Sequence, residues 1–432
     1  MTIAIAFLVL LVTLVIGVPI PLAFFASVAY LILFQGYDPG FLLPHGFAKI
    51  SSITILAIPL FILAGNLMDK GKIGDKLIGV VEVIAGRFKG GLIVVTVVSC
   101  AVFGAISGSS SATMSCIGGI MVPRMRAQGY TAGHCAAIIG NSSLLGLLIP
   151  PSMIMILFAW MANQSVLASF LATVIPGVIM VIMLSVVNIF LLRRYPEIQT
   201  IPGEGLVDTT KLFCKRGIKA TPALLMPVII LGGIYGGVMT PTEAAAVSAV
   251  YAMPVGFLIY KGLNRKNFIQ GIIESASTTG VIIVMLFAVM ILSRVYIMEN
   301  VPQKIFNILT TISSNKIVIL LMINLFLIIL GMLVDDISGM MLATPILLPV
   351  VTQLGVDPIH FAAMIGVNLG MGNITPPTAP MLYLAGRIGK AQVKDMMMPT
   401  MCMILFAWVP VLIMTTYIPN IALFLPRLLL GY

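Results

Sequence analysis

Gly140-Asn141-Ser142-Ser143-Leu144-Leu145-Gly146-Leu147-Leu148-Ile149-Pro150-Pro151-Ser152 has a later counterpart, Gly366-Val367-Asn368-Leu369-Gly370-Met371-Gly372-Asn373-Ile374-Thr375-Pro376-Pro377-Thr378. Each stretch lies in a long apolar run and is interrupted by small polar residues and a Pro-Pro pair. Proline removes a backbone donor and clashes with the preceding turn, so a helix opens there. Opened backbone is tolerated at membrane depth only where it is buried in protein or lines a polar cavity. Two such breaks at corresponding places in two halves indicate the binding site of a membrane transporter.

The composition around these stretches is that of a membrane protein. The chain has 432 residues, of which 60% are hydrophobic and 9% are charged, and its mean hydropathy is +1.14. About a quarter of the residues in a soluble domain are charged. Apolar runs of about 20 residues, long enough to span a bilayer, recur along the chain. The alternating ten-residue segments of a membrane barrel are absent. We therefore expect an all-α polytopic membrane protein.

The net charge of +10 does not indicate a nucleic-acid partner. The Lys and Arg residues lie in short loops between apolar runs, as they do in cytoplasmic loops of membrane proteins. No basic helix with interleaved aromatic residues stands out. The chain also lacks a nucleophile elbow, a His-Glu metal motif and a phosphate-binding loop. We therefore expect neither an enzyme, nor an organic cofactor, nor direct ATP drive.

The hydropathy pattern divides the chain into two similar halves and a polar linker. The first half, 1–192, is expected to contain apolar helices 3–68 with a loop at 35–52, an amphipathic helix 69–90, a hairpin 91–122, a broken helix 135–161 and a span 166–192. The linker is 193–221. The second half, 222–425, is expected to contain apolar helices 222–293, an amphipathic helix 294–316, a hairpin 317–350, a broken helix 361–385 and a span 399–425. Both hairpins are predicted to be re-entrant, and the arms of the first, 92–106 and 112–122, are short for a full span.

A shift of 226 positions superimposes the halves without a gap. Pro123 then falls on Pro349, His134 on His360, and the Pro-Pro pairs coincide. Between 123 and 159, 12 of 37 positions are identical. This repeat suggests two copies of one structural unit. Each His begins a broken helix, where we interpret it as a structural polar residue.

The loops indicate that the two copies cross the membrane in opposite senses. The loop after the first hairpin carries Arg124 and Arg126, whereas its counterpart 350–360 has no Lys or Arg. The loop 163–165 is uncharged, whereas its counterpart carries Arg387, Lys390 and Lys394. By the positive-inside rule this predicts an inverted-topology repeat, suited to alternating access. The linker is then cytoplasmic, the first hairpin opens to the cytoplasm and the second opens to the outside.

Candidate ion- and substrate-binding residues lie at the hairpin tips and helix breaks: Ser107, Gly108, Ser109, Ser110, Asn141, Pro150, Asp335, Asp336, Asn368, Gly370, Gly372, Thr375, Pro376 and Thr378. Hydroxyls, a carboxylate and freed carbonyls supply the oxygen ligands that a hard cation prefers. We expect sodium to bind through Ser107, Ser109, Asn141, Asp335, Gly370 and Thr375. Amides at half-helix N-termini suit a substrate carboxylate.

Two other interpretations of these residues stay open. Small residues also permit close helix packing. Asp335 and Asp336 are candidates for a cation ligand or a protonatable coupling site, because a carboxylate inside a membrane is costly. Alternatively, one of them caps the following helix at an aqueous tip.

At these motifs the chain resembles the large membrane subunit of the tripartite ATP-independent periplasmic (TRAP) transporters, in the ion transporter superfamily. The resemblance covers nearly the whole chain and rests on Phe61-Ile62-Leu63-Ala64-Gly65-Asn66-Leu67-Met68, Gly104-Ala105-Ile106-Ser107-Gly108-Ser109-Ser110-Ser111-Ala112-Thr113, Thr240-Pro241-Thr242-Glu243-Ala244, Gly331-Met332-Leu333-Val334-Asp335 and Asn373-Ile374-Thr375-Pro376-Pro377.

The resemblance implies a mechanism and partners. It implies an elevator-type fold with scaffold helices 3–68 and 222–293, arm helices 69–90 and 294–316, and a mobile transport domain holding both hairpins. It implies sodium-coupled uptake of an organic acid, commonly a C4-dicarboxylate or a sialic acid, in the lipid of a bacterial inner membrane. The implied partners are a periplasmic substrate-binding protein and a small four-helix membrane subunit. Since the chain begins directly with the large subunit, we expect that small subunit on a separate chain.

Other functions are also compatible with the sequence. One is a stand-alone sodium- or proton-coupled carboxylate transporter of the same superfamily. Another is an ion channel whose oxygen-lined tips form a filter. Saturable solute uptake distinguishes a transporter from a channel, and dependence on a binding protein distinguishes the two transporters.

Overall fold

The computed structural model describes residues 2–85, 90–192 and 206–432. These residues form helices and connecting turns, with no β-strand among them. Within these ranges eight helices are long and apolar enough to cross a membrane, and a ninth span is possible if a bent pair counts as one. The expected all-α polytopic membrane protein is therefore confirmed.

The first half begins with four helices and an amphipathic fifth. Their bounds are α1 Thr2–Val15, α2 Ile20–Gln35, α3 Pro39–Ile50, α4 Ala57–Lys70 and α5 Ile73–Ala85. Helix α5 buries Ile73, Leu77 and Ile78 and exposes Lys76, the two-faced pattern expected of it. Six helices follow: α6 Gly91–Ser107, α7 Ser110–Ala127, α8 Ala132–Ser143, α9 Leu145–Leu148, α10 Met153–Ala162 and α11 Val166–Leu191.

The second half has a similar order of elements, with four helices before its hairpin where the first half has five. Its first members are α12 Leu206–Tyr235, α13 Pro241–Pro254, α14 Arg265–Met298 and α15 Val301–Ile312. Next come α16 Lys316–Leu333, α17 Asp336–Gln353, α18 Pro358–Ile374 and α19 Pro380–Gly389, followed by α20 Val393–Met403, α21 Val409–Tyr417 and α22 Pro419–Leu430. Single π-helical turns continue α13 at Val255–Ile259 and join α20 to α21 at Ile404–Trp408.

The helix ends follow the sequence repeat. Helices α7 and α17 begin and end 226 residues apart, and so do the start of α8 and the start of α18. Both of these starts are capped at equivalent positions, because the side chain of Thr131 accepts from His134 N and that of Asp357 accepts from Ile359 N. A side-chain oxygen at the N-cap satisfies one of the free amides of the first turn. The same local chemistry therefore sets the same boundaries in both halves.

Several expected boundaries are wrong. The predicted loop 35–52 contains helix α3, whose first turn is capped by Asp38 and carries Pro39, a favourable residue there. Part of the predicted linker, 206–221, belongs to α12, whereas 193–205 lies outside the described residues. The expected arm 294–316 is divided, because α14 continues to Met298 before α15 begins. The expected span 399–425 is the continuous run 393–417 plus a separate α22, and Pro419 stands in the first turn of that helix.

Two packing arrangements position the site. Helix α4 packs against α13 and α14, and Asn66 donates to Ser275 at 2.8 Å while Lys70 pairs with Glu274 at 2.9 Å. Helix α8 packs against α6 and α7 of its own half and against α19 and α20 of the other half. The halves are therefore interlocked around α8.

Candidate functional site

The first tip, residues 107–111, joins α6 to α7 through a compact set of hydroxyls. Gly108 has a φ of +61°, a left-handed conformation that glycine adopts without a steric penalty. The hydroxyls of Ser107 and Thr113 are 3.1 Å apart, and the Thr113 hydroxyl donates to Ser109 O at 2.7 Å. Ser109 Oγ accepts from Ala112 N at 3.4 Å and so caps α7. Hydroxyl and carbonyl oxygens are thus concentrated at this turn.

The second tip, residues 334–338, carries carboxylates where the first carries hydroxyls. Asp335 precedes α17 and accepts a hydrogen bond from the Ser338 hydroxyl. Asp336 Oδ1 accepts from Ile337 N at 3.1 Å. Asp335 and Asp336 are each partly buried residues. Negative charge at the start of α17 is favoured because a helix N-terminus carries a partial positive charge.

The two tips touch each other. Ser110 Oγ donates to Asp336 Oδ2 at 2.9 Å. The two residues are 226 positions apart, so they are equivalent members of the repeat. This contact joins the two hairpins directly.

The first break, residues 149–152, lies against the first tip. Met153 N donates to Gly108 O at 3.3 Å, which ties the start of α10 to the tip. A Cβ atom on Gly104 would lie 2.6 Å from the Cα of Gly146, so α6 and α9 are in backbone contact. Pro150, Pro151 and Ser152 are buried. Opened backbone is thus enclosed by protein, as expected at membrane depth.

The second break, residues 375–379, lies against the arm of the second hairpin. The Thr378 hydroxyl donates to Met332 O, and Thr375 Oγ1 donates to Met371 O at 2.6 Å. A Cβ atom on Gly372 would lie 2.7 Å from the Cα of Gly331. Unlike the first break, this one reaches the surface, since Pro377 and Thr378 are exposed. Both Pro-Pro peptide bonds, 150–151 and 376–377, are cis.

Asn141, Asn368 and Gly370 lie deeper, around helices α8 and α18. Asn141 Oδ1 accepts from Trp408 Nε1 at 3.1 Å, and its Nδ2 donates to Ala137 O at 2.8 Å. Asn368 Nδ2 donates to Asn324 Oδ1 at 2.9 Å. The backbone of Gly370 packs against the Trp408 ring. Asn141 and Gly370 therefore both contact Trp408. Among the described residues, Asn141 forms no hydrogen bond with the first tip.

Three polar residues that were not predicted as site residues lie in or next to the broken helices. Ser142, Ser152 and Asn373 are buried, and their side-chain polar atoms have no hydrogen-bond partner among the described residues. Asn368 Oδ1 is in the same condition, and Asn368 is the repeat equivalent of Ser142. Buried polar atoms are nearly always satisfied, so such atoms indicate a bound ion, ligand or water. The shift of 226 positions places Ser142 on Asn368, so the sequence repeat could have indicated Ser142 as a site residue.

The chemistry of this set suits a hard cation beside an anion. Hydroxyl, amide and carboxylate oxygens lie at the tips, and the breaks leave backbone amides and carbonyls outside helical hydrogen bonding. Glu243 has a different role, because its carboxylate accepts from Thr240 N at 2.7 Å in a capping box. Glu243 therefore stabilises the start of α13.

Comparisons with known proteins match this chain over most of its length. Residues 7–421 match the family described as the tripartite ATP-independent periplasmic transporter, DctM component. The C4-dicarboxylate TRAP transporter large permease protein DctM of Vibrio cholerae is 33% identical, over 100% of this chain and 99% of the relative. The sialic acid TRAP transporter large permease protein SiaM of the same organism is 32% identical, over 96% of each.

Two further similarities extend this picture. The isethionate TRAP transporter permease protein DctMQ of Oleidesulfovibrio alaskensis is 34% identical over 95% of this chain, which spans 64% of that relative. A crystal structure of the YdaH transporter of Alcanivorax borkumensis has a TM-score of 0.60 at 13% identity. That comparison covers 90% of this chain and 88% of the other, and it supports the fold alone.

Proposed function

Because this chain belongs to the DctM component family of the tripartite ATP-independent periplasmic transporters, we propose that it is the permease subunit of a sodium-coupled importer of an organic acid anion. The chain is a multi-pass membrane protein of a transporter family. In this proposal it lies in the bacterial inner membrane and works with a periplasmic substrate-binding protein and a small four-helix membrane subunit.

The substrate class follows from the relatives and from the site. The names of the relatives specify a C4-dicarboxylate, a sialic acid and isethionate. All three are small organic anions, two kinds being carboxylates and one a sulfonate. Free backbone amides at the breaks suit such an acid group. A C4-dicarboxylate or a sialic acid is the proposed substrate.

Sodium coupling is supported by the oxygen atoms of the two tips. The Ser107, Ser109 and Thr113 hydroxyls surround the first turn, and Asp335 and Asp336 flank the second. The predicted ligand set of Ser107, Ser109, Asn141, Asp335, Gly370 and Thr375 stays part of this proposal. Ser142, Ser152 and Asn373 are added to it because their buried polar atoms are unsatisfied among the described residues.

The proposed mechanism is alternating access by an elevator movement. The inverted repeat is inferred from the different charge of equivalent segments. Arg124 and Arg126 stand in the last turn of α7, not in the loop expected there, whereas the equivalent segment 350–360 has no Lys or Arg. On this topology α6–α7 and α16–α17 are re-entrant hairpins that enter from opposite faces. Helices α4, α13 and α14 form the scaffold, α5 and α15 are the arms, and the tips and breaks move together.

The observation that carries the proposal is the hydrogen bond between Ser110 and Asp336 at 2.9 Å. It joins the tips of two hairpins, each of which lies against its own helix break. A substrate and a cation bound at one such junction would be exposed to either face by movement of the whole assembly.

Uptake by proteoliposomes tests the proposal. The complex would be reconstituted with the small subunit and the cognate binding protein, and labelled succinate, N-acetylneuraminate and isethionate would be offered with an inward sodium gradient. We expect saturable uptake of one acid that requires the gradient and the binding protein. Uptake without the binding protein would favour the stand-alone carboxylate transporter. High conductance without saturable uptake would overturn the proposal in favour of a channel.

A further inference from the structure

A polar cavity is lined by residues outside the two tips. It encloses about 630 Å³ between α3, α14, the end of α10 and the start of α11. Its lining includes His45, Lys49 and Arg294, together with Trp160, Asn163 and Gln164. On the topology proposed above it opens to the outer face. We call it the outer cavity.

The outer cavity carries positive charge and no acidic side chain. Its lining has three basic residues and neither Asp nor Glu. Among the described residues, Lys49 and Arg294 form no ion pair within 4.0 Å. Burial, followed by the charges of Arg294 and Lys49, lowers the pKa of His45 below its usual 6.5. Lys49 and Arg294 therefore carry the positive charge of the cavity, and no carboxylate among its lining residues offsets that charge.

Arg294 has an unsatisfied donor. Its guanidinium lies over the Phe41 ring, with Cζ 5.3 Å from the ring centroid. Its Nε atom is buried and has no hydrogen-bond partner among the described residues. A buried donor on a charged group is costly to leave unpaired. Arg294 also lines the outer cavity, so an acceptor that enters the cavity meets this side chain. Guanidinium groups bind planar acid groups through paired hydrogen bonds.

We propose that the outer cavity binds the acid group of the transported organic anion before the anion reaches the tips. The bound group is a carboxylate or a sulfonate held by Arg294 and attracted by Lys49. The amides of Asn163 and Gln164 line the same space and supply neutral polar contacts. This inference rests on the proposed import of an organic anion. A headgroup of an anionic lipid carries comparable charge and is treated below as a competing source.

Fluorescence quenching by iodide reports the anion concentration in this cavity directly. The chain has two tryptophans. Trp408 is fully buried, whereas Trp160 lines the outer cavity and is partly exposed. The ratio of iodide quenching to quenching by neutral acrylamide would be measured on the purified complex in an uncharged detergent, without sodium. Trp160→Phe identifies the part of the signal that comes from this cavity.

Charge removal should then act locally. We expect Arg294→Gln and Lys49→Gln each to lower the iodide-to-acrylamide ratio about twofold to threefold, as expected for loss of one charge near the probe in a wet site. Lys304→Gln, which removes an exposed charge on neighbouring α15, is the matched control and should leave the ratio unchanged. Equal ratios in wild type and both cavity variants would overturn the proposal.

Competition identifies the bound group. The transported acid, found from a panel of succinate, N-acetylneuraminate and isethionate, should protect Trp160 from iodide in wild type and not in Arg294→Gln. In uptake assays Arg294→Gln should raise the substrate KM without changing the sodium concentration for half-maximal uptake. Protection by phosphatidylglycerol alone would overturn the proposal in favour of a lipid site. If the variants leave the iodide-to-acrylamide ratio unchanged and the acid does not protect Trp160, while sodium-driven uptake is intact, this inference is refuted. The proposed function would then still stand.

Discussion

Ser110 and Asp336 occupy equivalent positions in the two halves of the chain, and the hydroxyl of one donates to the carboxylate of the other at 2.9 Å. Equivalent residues of two symmetry-related units can touch only if both lie near the symmetry axis that relates the units. The two hairpins therefore meet at the centre of the repeat. The two residue types differ: Ser110 is a neutral hydrogen-bond donor and Asp336 is a carboxylate acceptor. The contact is therefore complementary although the two positions are equivalent in the repeat.

Loss of this contact should weaken the proposed sodium site. Hydrogen bonds to charged groups contribute about 1.5–3 kcal/mol, so we expect Asp336→Asn to raise the sodium concentration for half-maximal uptake by about tenfold or more. Ser110→Ala should have a smaller effect in the same direction. Asp38→Asn, which removes a carboxylate at the exposed cap of α3, is the control. Sodium dependence that is unchanged in Asp336→Asn would contradict a role for this carboxylate.

The glycine contacts between hairpins and breaks predict an asymmetric response to alanine. A Cβ atom on Gly104 or Gly372 would lie 2.6 or 2.7 Å from opposing backbone, whereas on Gly146 or Gly331 the nearest atom would be 3.2 or 3.1 Å away. We expect Gly104→Ala and Gly372→Ala to lower stability by about 1–3 kcal/mol through overpacking. Gly146→Ala and Gly331→Ala should lower stability less, because the added Cβ atom is farther from its neighbours.

Thermal unfolding in detergent measures this difference. Gly280→Ala serves as the control, because a Cβ atom there meets open space within α14. Equal losses at all four contact glycines would contradict the described backbone approach.

Trp408 and Asn141 should be energetically coupled. Trp408 Nε1 is the described donor to the buried Asn141 Oδ1, so Trp408→Phe leaves an acceptor unsatisfied at a cost of about 1–3 kcal/mol. Asn141→Leu removes the acceptor. The double variant should therefore be more stable than the sum of the two single losses predicts, which a double-mutant cycle measures. Strict additivity would show that the hydrogen bond contributes nothing.

The first arm is tied to helices on both sides of it. Glu82 of α5 pairs with Arg216 of α12 at 2.9 Å and with Arg124 of α7 at 3.6 Å. Arg216 also donates to Gly79 O at 3.1 Å. We expect Arg216→Gln to lower the unfolding temperature more than Arg124→Gln does. Each variant should lower the free energy of unfolding by less than about 1 kcal/mol, because the charged groups are partly solvated. High salt should reduce both effects. A larger loss in Arg124→Gln would contradict this ranking.

The sequence predicts local features well where backbone chemistry determines them. A Pro-Pro pair interrupts a helix, and Gly108 lies within the serine-rich segment 107–111 that forms a turn. The breaks and tips therefore lie where the pattern indicates. The repeat carries equivalent capping residues, Thr131 and Asp357, and the helix starts therefore agree. Composition is a weaker guide. It suggests a loop over α3, which is rich in Gly and Pro, and a linker over the start of α12, which is rich in charged residues.

Long-range partners were outside the reach of sequence reasoning. Asn141 and Trp408 are 267 residues apart, and nothing local indicates that the indole would take the amide oxygen expected at the first tip. The contact of Arg294 with Phe41 is similar, since it depends on how α14 passes α3. Side-chain pairs of this kind are set by the packing of whole helices.

The two breaks are built alike but are unequally accessible, the first being enclosed and the second open at Pro377 and Thr378. In the inverted repeat that we propose, an interchange of roles between the halves would open the first break and enclose the second. The accessibility of each break in the present structure would then describe that of its counterpart in the opposite state.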